Sequence, residues 1–140
     1  MIQLSIANDF SKTPGVRYPE EGEFSGQQFR EDFLKPKVDE AISKEDNLEI
    51  DLDGTSGLGP SFLEEAFGGL IREGYDYGQL MSIFIFKSDE VPYYVDDIKK
   101  YLKEASYAQG QIDMFGVSYL LLRMVFWSLG RELGIYNSFF

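Results

Sequence analysis

Apolar and polar residues alternate along Ile2-Gln3-Leu4-Ser5-Ile6 and again along Leu48-Glu49-Ile50-Asp51-Leu52. A period of two marks a half-buried strand, so Ile2, Leu4 and Ile6 share one face, as do Leu48, Ile50 and Leu52. Leu80-Met81-Ser82-Ile83-Phe84-Ile85-Phe86 is the most apolar run of strand length. Without clean alternation it reads as a central strand covered on both faces. Val16-Arg17-Tyr18 follows the turn signal Thr13-Pro14-Gly15 and is stopped by Pro19, which predicts a short edge strand.

The segments between these strands repeat at three and four residues. Ser25-Gly26-Gln27-Gln28 has the S-x-x-Q form of a capping box, and Phe29, Phe33, Leu34, Val38, Ala41 and Ile42 follow at helical spacing. This predicts a helix over 26–43, disturbed at Pro36. Ser61-Phe62-Leu63-Glu64 is a second capping box, with Phe62, Leu63, Ala66, Phe67, Leu70 and Ile71 forming a broad apolar face. Gly68-Gly69 lies within that face as a place for close helix–sheet contact, and Gly74 is a stop signal. A third helix is predicted from near Val91-Pro92, carrying Tyr94 or Val95, Ile98, Leu102 and Ala105. Strands alternating with helices predict an α/β domain.

After Gln109 the pattern changes. Residues 117–129 are apolar nearly all round a helical circumference and contain Arg123. The run is too short to span a bilayer, which takes about 17–25 apolar residues. A helix of this kind needs cover on more than one side. Three arrangements supply it: internal packing, a homodimer, or a membrane-surface or partner contact. Leu121, Met124, Val125 and Trp127 are the candidate interface residues. The predicted organisation is a domain over 1–108 and a helical extension over 109–140, packed on the domain or on a dimer partner.

Composition narrows the chemistry. The chain has 140 residues, 44% hydrophobic, which is ample for a core. Lys plus Arg total 13 against 24 Asp plus Glu, a net charge of −11. That balance argues against direct nucleic-acid binding, which needs a positive footprint. Asp113 and Glu132 offset Arg123 and Arg131, so the acidity belongs to residues 1–110. Cysteine and histidine are both absent, which removes thiolate and imidazole metal sites, imidazole bases and histidine-dependent triads. Met1–Asp9 lacks the basic start and apolar core of a signal peptide, so the expectation is a cytoplasmic protein without a membrane span.

Asp51 and Asp53 at a strand end, facing Glu64 and Glu65, invite two catalytic readings: a Mg²⁺ site or a glycosidase carboxylate pair. Solvated or turn-capping carboxylates are the plainer alternative. The loop Gly54-Thr55-Ser56-Gly57-Leu58-Gly59 lacks the G-K-[ST] ending of a phosphate loop. Arg30 is expected on the exposed side of the first helix, paired with Glu31 or another acid. Alternatively, Arg17 or Arg30 anchors the Asp51/Asp53 strand end.

Phe24-Ser25-Gly26-Gln27-Gln28-Phe29-Arg30, Asp51-Leu52-Asp53-Gly54 and Ser61-Phe62-Leu63-Glu64-Glu65-Ala66-Phe67-Gly68-Gly69-Leu70 together resemble the STAS-like domain family of unknown function. The lead-in Phe10-Ser11 and Pro14-Gly15-Val16-Arg17 is similar too, so the resemblance covers roughly residues 1–105. That family is similar in turn to anti-sigma factor antagonists. The resemblance implies a sheet backed by helices, and action by protein binding switched by phosphorylation of a serine at a helix start. By spacing from Asp51 that serine is Ser61, but Gly59 and Pro60 replace the residues that precede it in the antagonist motif D-[ST]-S-G-L-G. Ser61 is thus both a predicted helix cap and a candidate phosphosite, with Glu64 and Glu65 near enough to repel a phosphate.

The resulting expectation is a STAS-like α/β domain with an additional hydrophobic C-terminal helix. It would act as a non-enzymatic protein-interaction or regulatory module without a cofactor. Asp51, Asp53, Glu64, Glu65 and Arg30 are the candidate partner-binding residues, and the acidity suggests a basic partner. Two alternatives stand beside it: an acidic, nucleic-acid-mimicking inhibitor of a nucleic-acid-processing protein, of phage or other origin, and a small metal-dependent enzyme using Asp51 and Asp53.

Overall fold

In a computed structural model, residues 1–112 are described. The candidate interface residues Leu121, Met124, Val125 and Trp127, with nearly all of the predicted C-terminal extension, lie outside them. The two alternating segments form β1 (Ile2–Ser5) and β2 (Leu48–Asp51), and β3 (Phe84–Lys87) completes a three-stranded parallel sheet in the order β1-β2-β3. The register pairs Leu4 with Ile50 and Ile50 with Phe86, and Ser5 with Asp51 and Asp51 with Lys87. Leu4, Leu48, Ile50 and Phe84 are buried beneath the helices.

Helix α1 runs over residues 26–43 and is continuous but not uniform. Ser25 Oγ accepts from the Gln28 N–H at 3.0 Å, which caps its start. Arg30–Leu34 then forms a wider π turn immediately before Lys35–Ser43. A helical proline lacks its N–H and its ring crowds the carbonyl four residues back. The looser turn relieves that crowding at Pro36, which is the disturbance the sequence predicts. At the other end Glu45, with φ of 52°, closes a helix stop in which Asp46 N–H reaches the Ala41 carbonyl at 2.9 Å.

Helix α2 runs over residues 60–72, with a π turn at Glu64–Gly68 in its middle. Its N-cap is Gly59, followed by Pro60 at the first helical position. The predicted cap at Ser61 is therefore incorrect: Pro60 has no N–H and is suited to the first turn, so the helix starts ahead of Ser61. Gly74, with φ of +108°, ends the segment as predicted.

Helix α3 (Tyr77–Ile83) takes residues that the apolar run assigned to a strand. Asp76 accepts from the Gln79 N–H at 2.9 Å and caps it, and Leu80 and Ile83 are buried at helical spacing. Strand β3 is shortened accordingly, and among the described residues nothing covers its second face, where Ile85 is 41% exposed. Helix α4 (Tyr93–Ala108) begins directly after Pro92, near the predicted start, and buries Tyr94, Ile98, Leu102 and Ala105.

The predicted edge strand at Val16-Arg17-Tyr18 does not form. The Val16 and Arg17 carbonyls instead accept from the N–H groups of Gly26 and Gln27 at 2.8 and 3.1 Å. These are donors that the first turn of α1 leaves unpaired, and the loop satisfies them. Helices α1 and α2 pack face to face, α4 packs on α2, and the second half of α1 covers β1 and β2. Phe10, Phe29, Phe33 and Phe62 form an aromatic cluster between the 6–10 turn, α1 and α2.

Candidate functional site

Three groupings of charged side chains bear on the site: a network at a helix crossing, a loop hub and an open face. The network lies where α1 crosses α2. Arg30 is 6% exposed, and its guanidinium donates to both the backbone carbonyl and the carboxylate of Glu65. Its Nε lies 3.3 Å from Glu73 and 3.5 Å from Glu31, and Lys35 contacts the same two carboxylates at 3.4 and 3.2 Å. Arg17 reaches Glu64 at 2.6 Å and Glu65 at 3.3 Å, while Arg72 reaches them at 2.7 and 3.2 Å. Burial pushes the Glu64 carboxyl up, but Arg72 and Arg17 outweigh it and hold the group below the usual carboxylate range.

Four cations and four carboxylates thus pair at the helix crossing, with Arg30 and Glu65 buried and the other six partly exposed. Arg30 is buried, contrary to the surface position expected of it, because the π turn and the glycines of α2 open room for a guanidinium. A Cβ on Gly69 would lie 2.6 Å from Arg30 Cζ, and one on Gly26 would lie 2.6 Å from the Phe62 carbonyl. The glycine pair in α2 therefore admits side chains, Arg30 at Gly69 and Glu64 at Gly68, rather than the sheet. Neither Arg17 nor Arg30 anchors the Asp51/Asp53 strand end.

That strand end is held from β3. Asp53 Oδ1 accepts from the Glu90 N–H at 2.9 Å, while Oδ2 accepts from the Asp89 N–H at 3.1 Å and from Lys87 Nζ at 2.9 Å. These bonds, led by the Glu90 N–H and then Lys87, hold its carboxyl below the ordinary aspartate range. Asp53 and then Asp89 keep the Lys87 ammonium protonated above its ordinary range. Asp51 Oδ1 accepts from the Asp53 N–H at 2.9 Å. Among the described residues no three or more Asp and Glu are grouped to hold a metal ion.

The third arrangement is the sheet face turned away from the helices. Register places Gln3, Glu49 and Ile85 in one row and Ser5, Asp51 and Lys87 in the next. Helical turns follow β1 at Ile6–Phe10, a π turn that carries Asn8 and Asp9 beside this face. Asp9 accepts from the Ser5 N–H at 2.7 Å, which fixes its carboxylate there. The result is an open groove of about 460 Å³ lined by Gln3, Ser5, Asn8, Asp9, Glu49, Asp51 and Lys87. Grooves at the carboxyl ends of parallel strands are where α/β sheets usually receive ligands.

Of the predicted site residues, the structure brings Glu64, Glu65 and Arg30 together within one internal network. It places Asp51 and Asp53 at the separate strand end. Only Asp51 also lines the open face. Ser61 is exposed at the second residue of α2. The sequence reading missed Asp9, Glu49 and Lys87 as companions of Asp51. The strand alternation that named the core also names Gln3, Ser5, Glu49 and Asp51 as the outward set, but their neighbours across the sheet follow only from register.

Residues 25–93, from the cap of α1 to the first residue of α4, match the family model of a STAS-like domain of unknown function (DUF4325). No curated protein and no solved structure matches the chain.

Proposed function

We propose that this chain, a STAS-like domain across residues 25–93, is a non-enzymatic protein-interaction or regulatory module whose contact surface is the open face of the sheet. The observation that carries the reading is the disposition of charge. The eight charged groups at the α1–α2 crossing pair with one another, whereas Gln3, Glu49, Asp51, Ile85 and Lys87 stand partly or fully exposed on one sheet face. Parallel sheets are ordinarily covered on both faces, so a polar, accessible face suits a surface used in association. The STAS-like match is consistent with a regulatory or interaction role.

Ser61 remains the regulatory candidate within this reading. It is exposed on the first turn of α2, and Glu64 is already engaged by Arg17 and Arg72. A phosphate there would meet less repulsion than the bare sequence implies. Intact mass of the protein from its native cells tests modification directly.

Cross-linking of the purified chain in native extract, with peptide-level mapping, tests the interaction reading. A reproducible partner cross-linked through Lys87 or the face carboxylates supports it. Absence of any partner enriched over a charge-neutralised face variant refutes it. The net charge of −11 favours a second reading, an acidic inhibitor occupying the positive channel of a nucleic-acid-processing protein. Mutual exclusion between nucleic acid and this chain on that partner would select it.

A further inference from the structure

The identity of the occupant follows from the chemistry of the open face, and it rests on the interaction reading above. Among the described residues, the groove on this face presents the carboxylates of Asp9, Glu49 and Asp51 and one ammonium, that of Lys87. That ammonium is drawn to the loop: it lies 2.9 Å from Asp53 and 3.4 Å from Asp89, but 4.0 Å from Asp51. Lys87 is thus shared among Asp53, Asp89 and, at longer range, Asp51, and among the described residues the carboxylates of the groove outnumber its cation three to one. Ile85 lies in the same row as Glu49, 41% exposed, and adds an aliphatic patch. Carboxylates beside an aliphatic surface match a side chain with an alkyl stem and a cationic head.

We propose that the open face of the sheet docks a basic segment of a protein partner, seating an arginine or lysine head between Glu49, Asp51 and Asp9 with its stem along Ile85.

An acetylated, amidated tetra-arginine peptide is the probe, titrated into the isotope-labelled full chain at near-physiological salt. Amide shifts are expected at Gln3, Ser5, Glu49, Asp51 and Ile85. The double variant Glu49→Gln/Asp51→Asn should weaken binding roughly fivefold or more, since two partly exposed charge pairs are lost, with its thermal midpoint unchanged. Ile85→Ser should also weaken it, which simple charge attraction does not predict. The proposal is overturned if shifts fall instead on Glu20, Glu21, Glu23 or α4, if no shifts appear, or if the double variant binds equally well. Spermine binding as tightly as the peptide would assign the groove to free polycations and overturn it too. Each of these failures leaves the interaction reading to the cross-linking experiment, since a partner of other chemistry can still contact the same face.

Discussion

Adjacent glycines in α2 should respond to alanine with opposite signs. Gly→Ala inside a helix ordinarily stabilises by about 1 kcal/mol, because alanine loses less backbone entropy. At Gly68 the new Cβ would approach the Glu64 carboxylate, 3.2 Å from its Cδ. That carboxylate is the far end of a flexible side chain, about a quarter exposed, and can swing aside. Moving it weakens ion pairs whose worth at such exposure is about 0–1 kcal/mol, so Gly68→Ala should be neutral or mildly stabilising. At Gly69 the Cβ would fall within the Arg30 guanidinium, 2.6 Å from Cζ and 2.9 Å from Nε. Arg30 is buried and held by Glu65 from the neighbouring helix. Displacing it breaks its bonds to the Glu65 carbonyl and carboxylate, and breaking a buried pair costs about 3–5 kcal/mol. Set against the propensity gain, Gly69→Ala should destabilise by about 2–4 kcal/mol. Urea unfolding followed by far-ultraviolet circular dichroism measures both variants. The decisive comparison is Gly69→Ala introduced into Arg30→Leu, where the obstructed group is gone. There the alanine should be neutral or stabilising, giving a coupling of at least about 2 kcal/mol. Equal effects at Gly68 and Gly69, or a cycle without coupling, would refute the assignment of Gly69 as the passage for Arg30.

Gly26→Ala should cost at least about 2 kcal/mol by denaturant unfolding, because its Cβ would press on the Phe62 backbone carbonyl and force α1 from α2. Glu45→Gly should stabilise by about 0.5–1 kcal/mol in the same assay, since a residue with φ of 52° in a helix stop is easier for glycine. Asp53→Ala should cost about 1–3 kcal/mol at neutral pH through the lost N–H and ammonium bonds. The folded Asp53 carboxyl is depressed, so its contribution is complete above the ordinary aspartate value of about 3.9 and is lost as pH falls through the lower folded value; the difference between wild type and variant should therefore shrink in acid unfolding titrations. Ser61→Ala should change stability by less than about 0.5 kcal/mol, because the α2 cap is Gly59; a loss of about 1 kcal/mol would restore the capping role.

Periodicity carried most of the architecture. The alternation of β1 and β2 places Leu4, Leu48 and Ile50 in the core, and the three- and four-residue spacing of α1, α2 and α4 places Phe29, Val38, Phe62, Phe67, Ile98 and Leu102 there. These assignments succeed because burial is a property of a residue and its near neighbours. The same logic misread Leu80–Ile83, where a short apolar run fits a strand or a buried helix equally well. The cap from Asp76 to the Gln79 N–H decides between them locally. Pro60 was likewise a local signal for the start of α2, overshadowed by the more familiar serine pattern at Ser61.

The charged residues behaved differently. Arg30 has the sequence surroundings of a surface residue, with Glu31 and Asp32 beside it, and it is buried. Its partners Glu65 and Glu73 come from α2 and the residue that caps its end, more than thirty positions away. Lys87 likewise finds Asp53 through the pairing of β3 with β2. An ion pair depends on where two distant segments meet and on the space between them, here set by Gly26 and Gly69. One-dimensional pattern identifies which residues seek an interior or a solvent face. Which carboxylates are paired within the fold, and which stay exposed, is settled by helix crossing and strand register, since electrostatic energy depends on distances between side chains that the chain order does not contain.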